Sequence, residues 1–149
     1  MSSDAPDARV RLESQRESVR ALGVELAAGA ASAVDGAAGE PAGRFEGCTA
    51  VFPEGHRDFR YVLSVRVDAG AAAPASLLGA VGPVLDAAGV AAEPGERPGG
   101  RTLGGPTSGG VDVRFSELPA QGRYLLLDLA GPCVEVPAED RDAWEGRTG

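Results

Sequence analysis

The stretch Phe59-Arg60-Tyr61-Val62-Leu63-Ser64-Val65-Arg66-Val67 decides the fold class. Phe59, Tyr61, Leu63, Val65 and Val67 alternate with Arg60, Ser64 and Arg66. Period-two alternation marks a strand with one buried and one wet face, as in an antiparallel sheet covered on one side. Upstream, Arg44 to Phe52 reads as a second strand, carrying Cys48. The turn Pro53-Glu54-Gly55-His56-Arg57-Asp58 separates the two, so a hairpin is expected.

Helical patterns flank this hairpin. From Pro6 or Asp7 onward, Leu12, Val19, Leu22, Leu26, Ala30 and Val34 fall on one helical stripe, which fades near Asp35-Gly36. Gly23 and Gly29 lie within it, each weakening the helix by about 1 kcal/mol relative to Ala. After the hairpin, Pro74 suits the first turn of a second helix. Leu77, Leu78, Val81, Val84, Leu85 and Ala88 form its apolar face, and Gly89 is the expected residue just past its end. Pro83 lies inside and is expected to kink or split the helix.

Further on, 90–100 reads as a loop, Arg101-Thr102-Leu103 as a short strand and 104–110 as a hairpin link. Val111, Val113 and Phe115 alternate with Asp112 and Arg114 in another strand. In 123–130, Leu125, Leu127 and Leu129 share one face and Tyr124, Leu126 and Asp128 the other, which suits a central strand covered on both sides. Gly131-Pro132 breaks it, and Cys133 to Val136 follows. The expectation is an α+β, two-layer domain. An antiparallel sheet of four to five strands carries two helices on one face, in the order α-β-β-α-β-β(-β). Residues 1–9 read as a flexible lead, 10–137 as a single domain and 138–149 as an acidic tail pinned, if anywhere, at Trp144.

Composition narrows the function. The 149 residues carry a net charge of −8, with 14 basic residues against 22 acidic ones, which disfavours a nucleic-acid domain. One His and two Cys do not make a four-ligand structural zinc site. No apolar run approaches the roughly 18 residues that a membrane helix needs. No basic and apolar leader opens the chain, so it reads as intracellular or as a chain whose leader has been removed. Lys, Asn and Ile are absent while Ala, Gly, Pro and Arg abound, a signature of GC-rich codon usage. The arginines therefore do not mark an anion site by identity alone.

Cys48 and Cys133 allow one intramolecular pairing, across 85 positions. A disulfide would indicate an oxidising compartment, whereas two free thiols would act as small buried hydrophobes. The N-terminal helix, Gly47-Cys48, the 60–67 strand, Ala87-Ala88-Gly89-Val90, the 111–115 strand and Tyr124 to Val134 together carry a resemblance. Its most specific element is Gly131-Pro132-Cys133-Val134 after a hydrophobic strand, paired with Cys48. The chain resembles the mature part of small actinobacterial cell-envelope lipoproteins of uncharacterised function. That resemblance implies an exported, lipid-anchored protein and supplies no catalytic residues.

Candidate chemistry is sparse. His56 stands beside Glu54 and Asp58, but no nucleophile lies near it in sequence, so a solvated hairpin tip is the better reading. The stretch 99–110 is rich in Gly yet lacks a Gly-Lys-Ser/Thr or G-x-G-x-x-G pattern and leads into a strand. Ser108 lacks a nucleophile elbow. Glu135, Glu139, Asp140, Asp142 and Glu145 lack calcium-loop spacing. Arg60, Arg66 and Arg114 share the wet sheet face with Asp112 and form the candidate binding surface, with cross-strand charge pairing as the competing reading. The expected function is a non-enzymatic exported binding domain, without cofactor, for a protein or small ligand. The alternative is a small acidic cytoplasmic regulator of immunity type that neutralises a protein partner.

Overall fold

The computed structural model describes residues 4–48 and 57–149. Helix α1 (Asp4–Ala33) leads into β1 (Ala37–Ala38), β2 (Ala42–Gly47) and β3 (Arg57–Asp68). Helix α2 (Leu77–Ala87) follows, then β4 (Glu93–Arg97), β5 (Gly100–Pro106), β6 (Asp112–Glu117), β7 (Tyr124–Ala130), β8 (Val134–Val136) and a short α3 (Arg141–Trp144). Among the described residues, eight strands form one antiparallel sheet in the order β1-β3-β7-β6-β5-β4. β2 joins β1 along one side of β3, and β8 extends the line of β7 along the other. The fold is α+β, with a wider sheet than the four to five strands expected.

The additional width has local causes. β4 reads Glu-Pro-Gly-Glu-Arg and all five residues are exposed, so no alternation marks it. It is an edge strand, where Pro and charge are tolerated because one side of the ladder is unpaired. β5 runs through Gly104-Gly105, where a loop was expected. These glycines allow close backbone approach: a Cβ at 104 would lie 2.1 Å from the Val113 carbonyl oxygen, and one at 105 would lie 2.0 Å from that of Ala91.

The stripe on α1 is buried as its spacing requires: Leu12, Val19, Leu26, Ala30 and Val34 all face the core. The helix starts earlier than expected, so residues 4–9 of the lead are helical and Ala8 is buried. Gly23 and Gly29 have a packing role. A Cβ at 23 would lie 2.4 Å from Leu63 Cδ2, and one at 29 would lie 3.0 Å from Val84 Cγ1. The glycines let α1 approach β3 and α2, at the expense of helix propensity.

Ser76 caps α2, its hydroxyl accepting from Gly79 N at 3.0 Å. Gly89, at φ 77°, ends it: Gly89 N donates to Asp86 O and Val90 N to Leu85 O, while Val90 is buried. Pro83 does not split the helix, contrary to expectation, because α2 is continuous over 77–87. The bond it removes would have ended at the carbonyl of Gly79, and both residues are exposed, so that carbonyl is open to solvent.

The segment after 138 packs against the sheet. Trp144 is 2% exposed, with its ring centroid 4.7 Å from that of Phe45. Arg147 lies over the Trp144 ring and pairs with Glu13 at 2.7 Å. Phe45 N donates to Arg147 O, and Gly149 N to Gly43 O, so 147–149 lines the outer edge of β2. Cys48 and Cys133 form a disulfide, with a Cα–Cα distance of 6.3 Å. It ties the end of β2 to the β7–β8 connection across β3, and the free-thiol alternative falls.

Candidate functional site

Both long helices cover one sheet face, α1 against β3 and β8, α2 against β5, β6 and β7. Strand register defines what the opposite face carries, because directly opposed residues point to the same side. One transverse row runs Glu93, Gly104, Arg114, Asp128, Ser64 and Ala42, from β4 to β2. The next row runs Pro106, Asp112, Ala130, Val62 and Arg44. Beyond it, Arg60 stands opposite Glu46. Gly104, Ser64 and Ala130 leave low ground between the charged side chains of these rows. The result is a groove of about 490 Å³, within the size range of small-ligand sites.

Its charges fall into two groups. On the β2–β3 side, Arg60 donates to Glu46 Oε2 through Nε at 3.0 Å and Nη2 at 2.8 Å, and Arg44 donates to Glu46 Oε1 at 3.0 Å. One carboxylate thus holds two guanidinium groups. Ser64 donates its hydroxyl to Asp128 Oδ1 at 2.7 Å. On the β4–β6 side, Arg114, Asp112 and Glu93 have no side-chain hydrogen bond or ion pair among the described residues. Three arginines face four carboxylates in the groove, so its own balance is one negative charge.

Arg60, Arg66 and Arg114 all occupy the helix-free face, as the alternation implied. Only Arg60 and Arg114 line the groove. Arg66 lies outside it, stacked 4.0 Å above the Tyr124 ring and bonded to Asp68 at 2.8 Å. Arg44, Glu46 and Glu93 were not anticipated. The first two flank Phe45 in an Arg-Phe-Glu alternation that carried the signal, whereas Glu93 sits on the strand that composition concealed.

His56, with the rest of 49–56, lies outside the described residues. The 99–110 stretch forms β5 and a turn in which Thr107 Oγ1 accepts from Val111 N; Ser108 is exposed there. Among the described residues, no group of His, Cys, Asp and Glu is placed to hold a metal ion. No described helix is long and apolar enough to cross a membrane.

Compared with protein-family models, curated proteins and solved structures, the chain finds no match. Fold and site together define a disulfide-tied, two-layer α+β domain with a charged groove on its uncovered sheet face.

Proposed function

We propose that the chain is a non-enzymatic binding domain of the extracytoplasmic space that takes its ligand in the helix-free groove. The observation that carries this reading is Arg114. It stands mid-row above Gly104 with its guanidinium unengaged, while the neighbouring Arg44 and Arg60 are held by Glu46. A cation left free inside a concave, mixed-charge site is available to a ligand at little cost to the fold. The disulfide supports an oxidising compartment, since such bonds persist outside the reducing cytoplasm. The lipoprotein-like pattern around Cys48 and Cys133 points the same way.

A thermal-shift panel of amino acids, peptides, sugars and nucleotides tests the reading. Compounds that raise the melting temperature of the disulfide-intact chain should fail to do so for Arg114→Ala. A panel in which no compound separates the two proteins would contradict it.

A further inference from the structure

We infer that the ligand of this groove is a short peptide with free termini, its carboxylate on Arg114 and its ammonium on Glu93 or Asp112. The inference rests on the groove being the ligand site and adds the chemistry of the ligand. Any occupant covering the groove floor strips water from Arg114, Asp112 and Glu93 together. A covered charge without a partner is costly, so the occupant must bring both an anion and a cation. A carboxylate matches a single guanidinium in a bidentate pair. A dianionic phosphate fits poorly, because four carboxylates surround the groove and Glu46 already holds two of its three arginines.

Spacing sets the ligand length. Glu93 and Arg114 share a row two strands apart, so their backbones are about 10 Å apart at the usual strand spacing. Asp112 lies two residues along β6 from Arg114, about 7 Å at the usual rise. An extended di- or tripeptide places its two charged ends about 7–10 Å apart at the same rise per residue. Gly104 lies between Glu93 and Arg114 and leaves room for the peptide backbone above the floor.

Calorimetry on the full, disulfide-intact chain tests this with triglycine, N-acetyltriglycine and triglycine amide. Triglycine should bind, and blocking either terminus should weaken binding tenfold or more. Arg114→Gln should bind triglycine and its amide equally. Glu93→Gln combined with Asp112→Asn should erase the preference for a free ammonium. These side chains are unpartnered among the described residues, so the variants keep the fold, which circular dichroism verifies. Equal binding of blocked and free peptides, or no binding of triglycine, would overturn the inference while leaving the groove open to other ligands. Triglycine binding untouched by Arg114→Gln would overturn the groove itself as the site.

Discussion

Arg114 and Asp128 stand directly opposite each other on β6 and β7, yet they form no ion pair. Asp128 instead accepts the Ser64 hydroxyl from β3 at 2.7 Å. Exposed cross-strand charge pairs contribute only about 0.2–1 kcal/mol, so the fold loses little by leaving Arg114 free. The groove gains an available guanidinium.

Ser64→Ala therefore acts on the site through Asp128. Losing the hydroxyl frees Asp128 Oδ1, and the carboxylate then competes for Arg114. Ligand affinity should fall about two- to fivefold, consistent with a competing pair of up to about 1 kcal/mol. Stability should change by less than about 0.5 kcal/mol, as for a surface substitution. A double-mutant cycle with Asp128→Asn checks the route: in the Asp128→Asn background, Ser64→Ala should no longer affect affinity.

The disulfide closes a loop of about 85 residues, for which chain entropy sets an upper stabilisation of about 4–5 kcal/mol. Cys48→Ser combined with Cys133→Ser should lower the urea midpoint and steepen the denaturant dependence, because the unlinked unfolded chain exposes more surface. Reductant should shift the wild-type midpoint in the same direction. Equal midpoints with and without reductant would remove the bond from the account of stability.

Trp144 anchors the C-terminal segment on Phe45, and that segment shields the outer edge of β2. Trp144→Ala should cost about 3–5 kcal/mol, the usual range for deleting a buried aromatic. It should also promote self-association, because Phe45 N and Gly43 O lose their partners along an exposed strand edge. Urea unfolding and sedimentation read the two effects separately.

Gly36 and Gly70 bring the end of α1 against the end of β3. A Cβ at 36 would lie 1.7 Å from the Asp68 carbonyl oxygen, and one at 70 would lie 1.6 Å from that of Asp35. Gly70 N donates to Val34 O at this crossing. Gly36→Ala must displace backbone and should cost at least about 1–3 kcal/mol by thermal unfolding, as overpacking does. A neutral result would place this crossing outside the cooperative fold.

Much of the architecture was legible because it rests on alternation or helical spacing. The pattern Phe59 to Val67 identified β3, and the Leu run identified β7 as central, although helices cover only its Leu125, Leu127 and Leu129 face and Asp128 lines the groove on the other. β4 was not legible, because Glu-Pro-Gly-Glu-Arg has no apolar period and owes its strand form to β5. Gly104-Gly105 read as a loop because glycine weakens strands, whereas here it permits close approach between backbones. Pro83 read as a break because its effect depends on whether water can reach the orphaned carbonyl. At the site, alternation alone placed Arg60, Arg66 and Arg114 on one face. Which of them stays free depends on cross-strand register, through Glu46 opposite Arg60 and Tyr124 beneath Arg66.

The most direct test of the groove as ligand site is chemical-shift mapping of the isotope-labelled, disulfide-intact chain during titration with triglycine. The amides of Glu93, Gly104, Asp112 and Arg114 should move together along one saturating curve, while those of α1 stay fixed. Saturable shifts confined to α1, α2 or the C-terminal segment, with these four unmoved, would contradict it.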